Sequence, residues 1–122
     1  MPDNKTVLIV DDSKVSRMMI TAIIKEKQPE WILLESANAA ETRELAKANN
    51  INFFSIDLNM PGKDGLELID LLQHKYTDAK FALLTANIQE HTHESARKLG
   101  AICINKPITE KSISEMLDFF ND

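Results

Sequence analysis

Five short apolar runs, separated by stretches of helical spacing, constrain this chain more than any other feature of its sequence. The runs are Val7-Leu8-Ile9-Val10, Trp31 to Leu34, Phe53 to Ile56, Phe81 to Leu84 and Ala101 to Ile104. Each is only four residues long and nearly unbroken in apolarity. That is the pattern of strands buried on both faces of a parallel sheet. In the first intervening stretch, Val15, Met18, Met19, Ala22 and Ile23 share one helix face, which is expected to meet the core. Asn38 followed three residues later by Glu41 resembles a capping box that opens a second helix. Asp64-Gly65 leads into a third, Leu66 to Leu72. A fourth, from about residue 87 to 99, has only a weak stripe of Thr92, Ser95, Ala96 and Leu99. The last is marked by Ile113, Met116, Leu117 and Phe120. Five strands alternating with five helices predict an α/β fold, doubly wound around a parallel sheet by right-handed crossovers.

A length of 122 residues suits one domain spanning residues 1–122. A chain 43% hydrophobic and 27% charged has the makings of a real core. The net charge of −5, with Lys and Arg scattered, marks no nucleic-acid surface. No apolar run approaches the roughly 20 residues of a membrane span. Met1-Pro2-Asp3-Asn4-Lys5 lacks the pattern of a signal peptide. The single cysteine, Cys103, excludes an internal disulfide and is compatible with a reducing compartment. These features point to a cytoplasmic domain, working as a monomer, with no nucleic-acid partner and no membrane insertion.

Doubly wound sheets carry their chemistry beyond the carboxyl ends of the strands. Asp11 and Asp12 follow the first run, Asp57 the third, Thr85-Ala86 the fourth and Asn105-Lys106-Pro107 the fifth. Each has an ordinary explanation alone. Asp12 or Ser13 could cap the first helix. Asp57 could open a turn completed by Pro61-Gly62. Thr85 is a common strand residue, and Lys106 a common surface charge. None of these explanations requires all five residues at one edge of the sheet. Clustered carboxylates repel and need a cation, and Mg²⁺ is the hard ion that oxygen ligands suit.

The acidic pair, the run Asp-Leu-Asn-Met-Pro-Gly-Lys-Asp-Gly that begins at Asp57, the Thr-Ala and the Lys-Pro resemble, in order, the signature of the response-regulator receiver family. The resemblance spans essentially the whole chain and implies a flavodoxin-like five-stranded sheet of order 2-1-3-4-5. It implies that Asp57 is the phosphoacceptor. It also implies Mg²⁺ held by Asp12, Asp57 and the carbonyl of Asn59, with Asp11 acting through a bound water. Lys106 and Thr85 would contact the phosphoryl oxygens, and the Lys106-Pro107 bond would be cis. Phosphorylation would move Thr85 and the loop before the fourth helix, and the output surface would be helix four, strand five and helix five. Asn59 and Asn87 match positions that tune the lifetime of the phosphoryl group. One departure stands out. Many members carry Tyr or Phe three residues before the Lys, where this chain has Cys103. A thiol cannot reproduce the aromatic switch.

The partners so implied are a sensor histidine kinase or phosphotransfer protein, and a downstream target protein. Asp-Asp-Ser-Lys-Val-Ser-Arg resembles the start of chemotaxis-like stand-alone receivers, which favours docking on a target; the alternative is a phosphorelay intermediate. No DNA-binding or catalytic segment follows the last helix within these 122 residues, so output within them is expected to come from docking or relay and not from an attached domain. A haloacid-dehalogenase-type phosphatase also forms an aspartyl phosphate, but it wants Asp-x-Asp. Asn59 has no proton to give in that position, and no cap domain is seen. The chain is therefore expected to act only on its own phosphorylation, not as an enzyme toward other substrates. A pseudo-receiver is disfavoured, since every phosphorylation residue is present. His91 and His93, two apart on a helix, do not face a common ligand. His74 suits a helix end, and Trp31, at the end of the sheet away from the acidic residues, suits packing.

Overall fold

The computed structural model describes residues 4–60, 62, 64–86 and 89–122. Met1, Pro2, Asp3, Pro61, Lys63 and Asn87, which enter the sequence-based expectations, lie outside the described residues. Strands β1 (Thr6–Val10), β2 (Ile32–Ser36), β3 (Phe53–Asp57), β4 (Lys80–Thr85) and β5 (Ile102–Asn105) alternate with helices α1 (Lys14–Lys27), α2 (Ala39–Ala48), α3 (Gly65–Lys75), α4 (Glu90–Lys98) and α5 (Glu110–Asn121). The strands form one parallel sheet of order β2-β1-β3-β4-β5, as the resemblance implies.

Alternation along each strand divides the core in two. Val7 and Ile9 face α1 and α5, packing with Ile20, Ile24, Ile113 and Met116. Leu8 and Val10 face the other three helices, with Phe54, Leu68, Ile69 and Ala96. The stripe expected on α5 holds, and that on α4 holds in part, with Ser95 and Leu99 only half-buried. Ile113, Met116, Leu117 and Phe120 are buried on α5, while α4 buries Thr92 and Ala96.

The expected face of α1 does not hold. Val15 is 66% exposed, Met18 57% and Met19 45%, and the buried residues are Ile20 and Ile24 on the opposite side. The cause is a polar constraint. Arg17 lies on the same side as Ile20 and Ile24, and its guanidinium reaches Glu35 on β2 and the Asp11 carbonyl. The helix therefore turns that side to the sheet and leaves Val15, Met18 and Met19 in water, with Ile23 half-buried at the margin of the core. Burial on both faces also fails for β2, where Ile32 is exposed and Leu33 and Leu34 are half-buried, because β2 is an edge strand. Trp31 precedes β2 instead of opening it. It is buried, with its ring centroid 5.2 Å from that of Phe53.

Helix ends follow local chemistry. Ser13, not Asp12, caps α1 by accepting from the Ser16 N–H. Asn38 caps α2, but the Glu41 carboxylate accepts from Ala37, one residue before the cap, so only half of the expected box forms. Asp64 with Glu67 and Thr109 with Ser112 make full capping boxes on α3 and α5. At the far end of α5, Lys80 on β4 donates to the carbonyls of Phe119 and Asp122.

Candidate acidic site at the carboxyl edge of the sheet

The carboxyl ends of β1 and β3 bring Asp11, Asp12 and Asp57 together, with one carboxylate oxygen from each lying within 4.8 Å of the others. Asp11 and Asp57 are buried, whereas Asp12 faces solvent. Lys106 enters from the residue after β5. Its Nζ lies 3.1 Å from Asp57 Oδ1 and 3.4 Å from Asp11 Oδ2. Its backbone N–H donates to the Thr85 carbonyl at 2.8 Å, which ties the ends of β4 and β5 together. The Lys106-Pro107 bond is cis. Thr85 is fully buried at the end of β4, and Asn59 is exposed two residues beyond Asp57.

The electrostatics follow from burial and crowding. Burial raises the Asp57 pKa above its ordinary value. The Asp11 charge adds to the rise, Lys106 opposes it, and Asp12 adds a little more. For Lys106, burial pulls the pKa down, but the hydrogen bond and charge of Asp57, with Asp11 behind them, outweigh it and the net direction is up. Among the described residues, three carboxylates against one ammonium leave two negative charges without a cation in contact. The donors are all hard oxygens, and one of them opens to solvent. Asp11, Asp12 and Asp57 could therefore hold a hard divalent cation that keeps part of its water shell.

Three further residues shape the site, and sequence reasoning gave them no role there. Gly65 sits directly against the Asp57 backbone. Arg17 donates to the Asp11 carbonyl at 2.6 Å. His93 on α4 bonds Asn105, which pairs with Thr85 in the sheet register and precedes Lys106. Gly65 had a visible signal in Asp-Gly, and Arg17 in its place five residues after the acidic pair. The His93–Asn105 contact, across 12 residues, had none. Cys103 is half-buried on the α4 side of β5, beside Ala101, and Ile102 and Ile104 take the other side.

A doubly wound sheet of this order, with clustered carboxylates and a lysine at its carboxyl edge, defines a receiver-type domain. The family model of the response regulator receiver domain matches residues 7–118, and the chain belongs to that family of two-component signalling proteins. The chemotaxis protein CheY of Halobacterium salinarum is 30% identical over 114 residues, 93% of each chain. The nitrate/nitrite response regulator protein NarL of Escherichia coli is 29% identical over 96 residues, 79% of this chain. The chain spans 44% of the length of NarL. The structure of the chemotaxis response regulator CheY4 of Vibrio cholerae has the same fold. Its TM-score is 0.86 at 21% identity, over 97% of this chain and 99% of that one.

Proposed function

We propose that residues 1–122 act as a phosphorylation switch in which Asp57 accepts a phosphoryl group from a histidine-phosphorylated donor, a sensor histidine kinase or a phosphotransfer protein. The observation that carries this reading is the 3.1 Å contact between Lys106 and Asp57 inside the three-carboxylate pocket. An Asp57 carboxylate oxygen attacks phosphorus while the P–N bond of the donor breaks, and its electron pair stays on the imidazole nitrogen. Such transfers depend on positioning and charge neutralisation more than on covalent help. Lys106 exchanges part of its contact with Asp57 for a phosphoryl oxygen, and the Thr85 hydroxyl donates to another.

Asp12, Asp57 and the Asn59 carbonyl would hold Mg²⁺, with Asp11 behind a bound water. When bound, the ion supplies the positive charge that lets two anions meet. The raised pKa of Asp57 supports this, since a buried carboxylate among like charges ionises readily only beside a cation. A donor must approach along the carboxyl edge of the sheet. The exposed Val15, Met18 and Met19 of α1 begin three residues beyond Asp12 and offer it an apolar landing.

In this reading phosphorylation adds roughly two charges at the pocket. The change passes through Thr85 to α4, which buries only Thr92 and Ala96 and is weakly anchored. The target protein then binds at α4, β5 and α5, as in chemotaxis-like docking, and the domain works as a cytoplasmic monomer. Among the described residues no helix is long and apolar enough to cross a membrane. Incubation with Mg²⁺ and acetyl phosphate, followed by intact-mass measurement, tests the chemistry. One phosphoryl group on the wild type and none on Asp57→Asn is expected. Incorporation at the wild-type rate in the variant would overturn the assignment.

A further inference from the structure

We infer that Arg17 is a positioning residue for the acidic site, aiming the Asp12 carboxylate by holding the carbonyl of Asp11. This rests on the proposed reading of the site as a Mg²⁺-dependent phosphoacceptor.

Asp11 is held through its backbone and its side chain alike. Its N–H donates to the Ser36 carbonyl at 3.1 Å, which ties one side of the residue to β2. Its side chain is held by the Ser13 N–H at 2.9 Å and by Lys106 at 3.4 Å. Its carbonyl accepts from Nη1 of Arg17 at 2.6 Å. That carbonyl shares a rigid plane with the Asp12 N–H. The bond to Arg17 therefore sets the angle at which Asp12 leaves the strand. Asp12 needs this help because, among the described residues, no hydrogen bond holds its own exposed side chain. Its carboxylate nonetheless sits within 4.8 Å of those of Asp11 and Asp57. Its direction is inherited from the backbone.

Arg17 is itself fixed. Its Nε donates to Glu35 Oε1 at 2.9 Å, and its side chain is only 15% exposed. Nε and Nη1 point in different directions, one to the side chain of β2 and one to the end of β1. A planar guanidinium serves both at once, whereas a lysine ammonium at the end of a flexible stem cannot hold the same geometry. Arg17 also shares its helix side with Ile20 and Ile24. Burial of that pair and the aim of Asp12 are thus set by one rotation of α1.

The test is a Mg²⁺ titration of the whole chain, read from the backbone amide shifts of Asp12 and Asp57, with thermal midpoints in EDTA as a control. Arg17→Met is expected to weaken Mg²⁺ binding about tenfold or more, the usual effect of losing a partner that orients a metal ligand. Arg17→Lys is expected to fall between the two. Glu35→Gln keeps a neutral acceptor for Nε and is expected to stay within about twofold of wild type. If Arg17→Met lowers the thermal midpoint but binds Mg²⁺ with wild-type affinity, Arg17 is only structural and the inference is wrong. If Arg17→Met does not fold, wild-type affinity in Arg17→Lys overturns the inference in its place. A wild type with no saturable shift would instead remove the metal reading of the site, and the inference with it.

Discussion

Gly65 lies so close to Asp57 that a Cβ added to it would stand 2.5 Å from the Asp57 carbonyl oxygen. The same Cβ would stand 2.8 Å from Leu83 Cδ1. The Gly65 N–H also donates to the Leu58 carbonyl at 2.8 Å. Helix α3 thus starts directly against the backbone of the proposed acceptor. Backbone does not yield as a flexible side chain does, so Gly65→Ala must displace α3 or the end of β3. A loss of about 1–3 kcal/mol in chemical denaturation is expected from such overpacking, together with slower phosphorylation by acetyl phosphate. Wild-type stability and rate in the variant would contradict the close approach.

The direction of the Asp57 pKa makes a statement about pH. Burial, with Asp11 and Asp12 behind it, makes the native carboxyl hold its proton more tightly than the unfolded chain does. At pH below the ordinary 3.8 both states are protonated and the group contributes nothing to the difference. As pH rises past that value the unfolded state ionises first, and the native state loses stability until the raised native pKa is passed. In metal-free buffer Asp57→Asn is therefore expected to match wild type in acid and exceed it at neutral pH. Denaturation curves in EDTA across that range check it. A wild type more stable than the variant at neutral pH would refute it.

Mg²⁺ is expected to raise the melting temperature with the logarithm of its concentration, because an ion held as proposed would bind the native arrangement of the three carboxylates and not the unfolded chain. Trp31 packs on Phe53, at the start of β3, while Asp57 ends that strand. Its fluorescence is expected to change little as the ion binds. Strong quenching on titration would mean that the cation sits elsewhere.

The exposed stripe of α1 separates donor docking from chemistry. Met18→Ser combined with Met19→Ser removes apolar surface already in water, so stability is expected to stay within about 0.5 kcal/mol of wild type. Phosphorylation by acetyl phosphate is expected to be unchanged. Transfer from a histidine-phosphorylated protein donor is expected to slow several-fold. Equal loss with both donors would place the effect at Asp57 and not at the landing surface.

Cys103 offers a reporter on α4. Burial raises the pKa of the thiol, so labelling of the resting protein is expected to be slow. Mg²⁺ with beryllium fluoride, a phosphoryl mimic, is expected to change the rate as α4 and β5 rearrange. His93→Ala, which cuts the 3.1 Å tie between α4 and Asn105, is expected to raise the rate without the mimic. One labelling rate under all these conditions would leave Cys103 as a half-buried packing residue beside a static helix.

The sheet was legible because strands such as Phe53–Asp57 are buried throughout, and continuous apolarity then has one meaning. Edges broke that rule. Ile32 is as apolar as its neighbours and still meets water, since among the described residues no strand pairs with the outer side of β2. The acidic residues were legible because each terminates an apolar run, and a parallel sheet puts all those ends together. The orientation of α1 was not. Its sequence carries two apolar stripes, and the one with more members lost to the one that shares a side with Arg17. A periodicity count weighs hydrophobicity and cannot see that a guanidinium has two acceptors waiting on the sheet. The close approach of Gly65 and the His93–Asn105 bond depend in the same way on neighbours that only the folded chain supplies.

Lys80 bears on the order in which this chain assembles. Helix α5 has no basic residue in its own last turn, and the cation at its carboxyl end comes from the first residue of β4, 39 positions before Phe119. Its apolar side also finds its partners on elements made earlier in the chain, among them Val7, Phe53 and Leu84 of the sheet and Ile20 and Ile24 of α1. The helix therefore gains little by forming alone, and a nascent chain emerging in sequence order is expected to complete it only once the sheet and α1 are in place to receive it. Long-range closure of this kind slows folding. It also makes α5 the element that records whether the rest of the sheet has been built.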